Sequence, residues 1–203
     1  LRAGFGITGV IPGSSYMSLT TYNYGSSYYY DNASGEWLPG LSVASNPNPD
    51  LKWEKSTEFN VGLDWSVLDD RLGGSIDVYN KKTTDLLFYY SVPTPPNLYN
   101  TTFANGGSVR NRGFEIAVNA VPVRTKDFEW KTVVTLSHNE SKLLSLSNEL
   151  YETESYKNVG GLGEPINTTT HRMEEGRPLG EFWGLKSVGV SENGLFLIQK
   201  PDG

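Results

Sequence analysis

The sequence has no cysteine, which removes disulfides, thiolate metal sites and cysteine nucleophiles together. Only two of its 203 residues are histidine, which leaves little material for a zinc site or a histidine-based triad. Basic residues are in deficit, 17 Lys+Arg against 23 Asp+Glu, for a formal net charge of −6. That argues against a nucleic-acid partner, which calls for a basic footprint. No stretch approaches the roughly 18 apolar residues of a spanning helix. Helical periodicity is also scarce. Asn139–Tyr151 could form a turn or two on Leu143, Leu144 and Leu150, but its serines weaken the pattern. There is no initiating Met, basic n-region or apolar h-region, and the sequence stops in a turn-like Lys200-Pro201-Asp202-Gly203. The expectation is an internal segment of a longer protein. What is abundant is turn and strand chemistry: 22 Gly, 11 Pro and 12% aromatic residues, pointing to many strands joined by polar loops.

Period-two alternation is the dominant signal. Leu1, Ala3, Phe5 and Ile7 alternate with Arg2, Gly4, Gly6 and Thr8. Over 56–67, Thr57, Phe59, Val61, Leu63, Trp65 and Val67 share one face, opposite Glu58, Asn60, Gly62, Asp64 and Ser66. After a turn at Leu68–Arg71, Leu72, Ile76 and Val78 oppose Ser75, Asp77 and Tyr79. Phe114, Ile116, Val118 and Ala120 form a fourth strand. A turn at 122–127 leads to a fifth, with Phe128, Trp130, Thr132, Val134 and Leu136 on one side. A sixth is expected near Leu179–Val190.

Two connections are short, and three are long (about 10–55, 83–110 and 140–178). Short turns at one end and long loops at the other characterise transmembrane β-barrels. The strands 56–67 and 128–138 reach the roughly 9–11 residues that spanning requires. The apolar faces of the five clearest strands carry no Lys, Arg, Asp or Glu. A lipid-facing surface excludes such residues, because Lys or Arg at mid-depth costs about 2–4 kcal/mol. The core of a secreted β-sandwich carbohydrate-binding module excludes them equally. Trp65, Phe128 and Trp130 sit beside the short turns, where an interfacial aromatic girdle belongs. The alternation itself leaves both architectures open.

Longer runs are more specific. Asn48-Pro49-Asp50-Leu51-Lys52-Trp53-Glu54, Asn60-Val61-Gly62-Leu63-Asp64-Trp65 and the run Arg71–Leu87 resemble the SusC/RagA family of TonB-dependent outer-membrane transporters of Bacteroidetes. Asn105–Glu115 resembles its N-x-G-x-x-x-N-x-G-x-E run, Thr125–Trp130 its T-K-D-F-x-W turn, and Glu175–Gly184 its G-x-P-x-G-x-F-x-G segment. The resemblance implies an all-β fold: an antiparallel up-and-down sheet that is part of a transmembrane β-barrel. Residues 1–203 would form a partial barrel domain in the bacterial outer membrane, lacking plug, signal peptide and barrel C-terminus. It also implies glycan or peptide import, with a SusD-like lipoprotein and the TonB complex as partners. On that reading Phe59, Val61, Leu63, Trp65, Ile116, Val118, Trp130 and Val134 face outer-membrane lipid. No enzyme activity and no cofactor are implied.

Other motifs have plainer readings. Gly4-Phe5-Gly6-Ile7-Thr8-Gly9 matches G-x-G-x-x-G, but a dinucleotide site needs a helix after it and Val10-Ile11-Pro12-Gly13 follows. The adjacent acids Asp69/Asp70, Glu174/Glu175 and Glu152/Glu154 read as solvated surface, because glycoside hydrolysis needs two carboxyls across a cleft. No catalytic residue and no metal ligand set is expected. The loop bearing Tyr22, Tyr24, Tyr28, Tyr29, Tyr30 and Trp37 is the most distinctive polar segment. Its rings suit sugar rings or a protein partner, and equally suit packing that stiffens a loop. Tyr28, Tyr29, Tyr30 and Trp37 are the candidates for ligand or partner contact.

Overall fold

A computed structural model describes residues 1–147 and 155–199. Its strands, in chain order, are β1 (Arg2–Val10), β2 (Thr21–Asp31), β3 (Glu36–Ser45), β4 (Glu54–Val67), β5 (Leu72–Thr84), β6 (Leu87–Ser91), β7 (Thr101–Asn105), β8 (Ser108–Arg124), β9 (Glu129–Ser145), β10 (Tyr156–Gly161), β11 (Thr169–Glu174), β12 (Glu181–Phe182), β13 (Ser187–Val190) and β14 (Phe196–Ile198). Five of them form one antiparallel sheet in the order β1-β4-β5-β8-β9. The fold is all-β, as the alternation predicts, and the sheet is open.

Both short turns lie at one end of this sheet. At the β4–β5 turn, Leu68, Asp69 and Asp70 all take left-handed backbone (φ 58, 55 and 61°). Asx residues tolerate that region, whereas leucine adopts it at a cost. The turn closes with the Arg71 amide donating to the Leu68 carbonyl at 3.1 Å and the Ser66 hydroxyl donating to Asp70. The β8–β9 turn is held by Thr125, whose amide donates to the Phe128 carbonyl at 2.7 Å. Its hydroxyl is 3.1 Å from that same carbonyl and from the Phe128 amide.

The long connections are built loops rather than structureless ones. The first folds into the β2–β3 hairpin, the second into β6–β7, and the third carries β10 and β11. Two expectations are corrected. Asn139–Ser145 extends strand β9, because β8 offers a pairing partner from Gly113 up to Ser108, with a register shift only at its last pair; Leu150 and Tyr151 lie outside the described residues. The sixth strand near 179–190 is only the two short pieces β12 and β13. Chain 176–179 meets the β9 edge through a Lys142↔Pro178 bridge and a 3.0 Å bond from the Leu179 amide to the Ser141 carbonyl. Left-handed Gly176 and Gly180 (φ 79 and 85°) then end the extension.

Burial is concentrated at the long-loop end, not in the sheet. Tyr90, Ala104, Leu143 and Leu146 are its apolar core, and Asn46, Asn48, Thr102 and Asn105 are buried among them.

Candidate functional site

In antiparallel strands, residues directly opposite one another share a face. The register links Leu63, Ile76, Ile116 and Leu136 in one rung. Trp65, Gly74, Val118 and Val134 form the next. Phe59 opposes Phe5, Val61 opposes Ala3 and Val78, and Trp130 opposes Val123 beyond a bulge. All eight residues selected from the sequence therefore share one side of the sheet. A sandwich would bury them under a second layer. Instead Phe59 is 53% exposed, Leu63 45%, Trp130 54% and Val134 59%. The Trp65 indole lies over Gly74, where an added Cβ would stand 3.0 Å from the ring and collide with the Ala117 carbonyl.

Strands β5, β8 and β9 run further toward the long loops than the alternation indicates, and there the same side becomes charged. Lys82, Arg110 and Lys142 share one rung, with Asn80, Arg112 and Glu140 below it. Arg112 Nη2 lies 2.6 Å from Glu140 Oε2. Continuing the parity of Val78 upward and of Phe114 backward would have exposed this rim in the sequence.

The opposite side is largely polar, although Ala117, Val133 and, nearer the long loops, Val109 also lie on it. Arg2 reaches over Gly62 to Asp77 on the second strand away, with Nη2–Oδ1 at 2.7 Å, while its Nε lies 3.3 Å from Asp64. Gly62 sits between Arg2 and Asp77 in register. A Cβ there would press on the Asp77 carboxylate and lie 2.8 Å from the guanidinium. Tyr79 covers Gly113 in the same manner and donates to Asn139 Oδ1 at 2.8 Å. Near the short turns, Glu129 pairs with Arg124 at 2.9 Å and Lys131 at 2.8 Å.

Above the sheet, three asparagines tie the loops together. Asn46 Nδ2 donates to the Tyr99 and Thr101 carbonyls (2.6 and 3.0 Å) and to Thr102 Oγ1 (3.1 Å). Its Oδ1 accepts from the Leu98 and Tyr99 amides (3.1 and 2.9 Å). Asn48 Nδ2 donates to the Phe103 carbonyl at 3.0 Å. Asn105 accepts from the Lys52 amide and donates to the Lys52 and Asp85 carbonyls. The Tyr90 hydroxyl donates to the Leu146 carbonyl at 2.9 Å, and burial raises its phenol pKa. Sequence reasoning missed these roles, because each bond joins segments far apart in the chain.

The aromatic segment is the β2–β3 hairpin. Tyr28 opposes Pro39, Tyr29 opposes Leu38, and Tyr30 opposes Trp37 with ring centroids 5.5 Å apart. A bulge between Tyr24 and Ser27 keeps Tyr22, Tyr24, Tyr28, Tyr30 and Trp37 on one side and Tyr29 on the other. All four candidates are exposed, from 49% at Tyr30 to 67% at Trp37. At the hairpin tip the Ser34 hydroxyl, then the Ala33 amide, holds the Asp31 carboxyl below its ordinary pKa. The base of the hairpin borders a cleft of about 410 Å³ lined by Tyr16, Thr21, Tyr89, Tyr99 and Phe103.

The remaining motifs do not converge. His138 lies against Phe114 and His171 against Phe182, and no cluster of metal-ligand type occurs among the described residues. Asp69 and Asp70 form the exposed turn, Glu175 accepts from the Leu146 amide at 2.6 Å, and Glu152 and Glu154 lie outside the described residues. Gly4–Gly9 is strand throughout.

Comparison with known proteins agrees with this geometry. The family described as "TonB dependent receptor-like, beta-barrel" matches residues 13–174. A TonB-dependent receptor of Formosa agariphila is 34% identical over 100% of this chain, and the TonB-dependent receptor SusC of Bacteroides thetaiotaomicron is 32% identical over 96%. The chain spans 17% and 19% of the lengths of these two relatives. A structure of the RagAB peptide importer in its "open-open" state superposes with a TM-score of 0.71 at 21% identity, covering 98% of this chain and 21% of that one. The chain belongs to the TonB-dependent receptor β-barrel family and is a SusC/RagA-like segment of it.

Proposed function

We propose that this chain forms part of the barrel wall of a bacterial outer-membrane transporter that imports oligosaccharides or peptides with a SusD-like lipoprotein and TonB. One observation carries the reading: the uncharged band on the outward face runs obliquely to the rungs. Approaching the long loops, the first charged outward residue is Lys55 on β4 and Glu140 on β9. Glu140 shares a rung with Phe59, so the boundary moves four residues across three strand spacings. At about 3.4 Å per residue and 4.8 Å per strand, that slope is about 43°. Barrel strands tilt by roughly 35–45°, so a membrane plane cuts the rungs at that angle. The uncharged outward stretch of β4, Thr57 to Val67, is about 34 Å long and projects to about 25 Å, the height of a barrel's apolar band.

The polar face, with its Arg2–Asp77 bridge, then lines the interior. The sheet's edges at β1 and β9 pair with further strands of the same barrel, since an open edge is not viable in hydrocarbon. The barrel supplies no bond chemistry. It closes the wall, and its loops meet ligand or lid. Tyr28, Tyr29, Tyr30 and Trp37 are the contact residues on this reading, because exposed rings with polar ends suit sugars and proteins alike.

The test uses the full-length protein in its native membrane. Uptake of labelled oligosaccharides and peptides should disappear on deletion of the protein or of TonB. Replacing Tyr28, Tyr29, Tyr30 and Trp37 together with Ala should weaken ligand binding or lid co-purification. Unchanged uptake after deletion, with the protein recovered in the soluble fraction, would refute the proposal.

A further inference from the structure

The rim of the outward face combines two chemistries that belong to one kind of ligand. Toward the short turns it is apolar, with Ile76, Val78 and Phe114 on neighbouring strands. Toward the long loops it is cationic: among the described residues of the sheet, Lys55, Lys82, Arg110, Arg112 and Lys142 stand against one carboxylate, Glu140. Glu140 is already engaged by Arg112. Arg110 Nε is buried and has no hydrogen-bond partner among the described residues. A concavity of about 720 Å³ spans the boundary, bounded below by Val78 and Phe114 and above by Asn80, Arg110, Arg112 and Glu140.

We propose that this rim binds the phosphate groups of an anionic lipid in the outer leaflet, with the acyl chains lying along the apolar band. The inference rests on the reading that the uncharged face contacts lipid. Charge complementarity selects the occupant. A zwitterionic headgroup leaves the surplus cations unmatched, and an aqueous anion makes no use of the apolar floor. The long-loop end is the cell-surface end of such a barrel, so the phosphates lie at the outer boundary. Lys82, Arg110 and Lys142, about one strand spacing apart in a single rung, present three donors of positive charge to one doubly phosphorylated headgroup.

The test titrates the full-length transporter, in phosphatidylcholine nanodiscs, with diphosphoryl lipid A, with its dephosphorylated form and with inorganic phosphate alone. The expected result is retention of the phosphorylated lipid only. Lys82→Gln, Arg110→Gln and Lys142→Gln together should weaken retention roughly 100-fold, about fivefold per cation. Lys82→Arg, Arg110→Lys and Lys142→Arg should preserve it, and Lys81→Gln on the opposite face should change nothing. Equal retention of the dephosphorylated lipid would overturn the proposal, as would a triple Gln variant that binds normally or saturation by inorganic phosphate alone. A nitroxide at Leu63→Cys separates the two levels of the argument. High oxygen accessibility there with no phosphate preference refutes the lipid site only. Low accessibility refutes the lipid-face reading beneath it.

Discussion

Leu63→Arg tests the proposed lipid face most directly. Leu63 lies six residues below Thr57 and four above Val67 on β4, near the middle of the uncharged stretch. Its rung neighbour Ile76 is apolar, and the other residues of that rung, Ile116 and Leu136, are apolar too. The side chain is 45% exposed, so the arginine meets no steric barrier and the cost is one of transfer. At mid-depth that cost is about 2–4 kcal/mol, a factor of roughly 30 to 700 in the folding equilibrium. At Val67, near the short turns, the same change costs about 0–1 kcal/mol. The assay is urea-dependent refolding of the full-length protein into phospholipid vesicles, followed by heat-dependent gel mobility. The expected pattern is a large loss for Leu63→Arg and a small one for Val67→Arg. Equal losses at both positions, or none at Leu63, would refute the placement of this face in lipid.

Gly74→Ala drives a Cβ into the Ala117 backbone carbonyl and should cost about 1–3 kcal/mol in the same refolding assay. Gly62→Ala meets only the flexible ends of Asp77 and Arg2 and should cost no more than about 1 kcal/mol, the scale of an exposed ion pair. Asn46→Ala removes five hydrogen bonds beneath the β6–β7 hairpin. A local loss of about 3 kcal/mol should speed amide exchange over 98–105 by about 100-fold while the barrel strands keep their protection. The Asp31 carboxyl has a lowered folded pKa, so its support of the hairpin tip is complete above the ordinary value of 3.8 and fades as pH falls through the lowered one. Ala33 and Ser34 amides should lose exchange protection in that acid range, and Asp31→Asn should remove the pH dependence; protection that stays constant in the wild type would disprove the role.

The central sheet was legible because alternation is a local property. Phe59 to Val67 and Phe114 to Ala120 each announce a half-apolar strand without reference to a partner. The tops of β5, β8 and β9 were not, since Lys82, Arg110 and Lys142 interrupt the apolar pattern while the backbone pairing continues. Asn139–Ser145 illustrates the point: its composition is neutral between structures, and β8 beside it decides. The hairpin β2–β3 was visible as aromatic content but not as a strand pair, because Tyr29 on the other side and the Gly25–Ser27 gap mask the alternation of Tyr22, Tyr24, Tyr28 and Tyr30. The buried asparagines gave no sign of their structural roles, although Asn48 and Asn105 open two of the family-like runs. Asn46 reads as a turn residue, and only the arrival of Tyr99 to Thr102 from elsewhere in the chain makes it a structural anchor. The Arg2–Asp77 bridge is equally nonlocal, and Gly62 between them looks like any strand glycine.

The asparagine ties address almost only main-chain atoms: the carbonyls of Tyr99, Thr101, Phe103, Lys52 and Asp85, and the amides of Leu98, Tyr99 and Lys52. Every amino acid presents a carbonyl, and all but proline present an amide. The scaffold that holds the surface hairpins is therefore nearly indifferent to what those hairpins display. Their outward side chains are interchangeable parts, free to diversify or to be replaced wholesale by design, while the mounting beneath them stays the same.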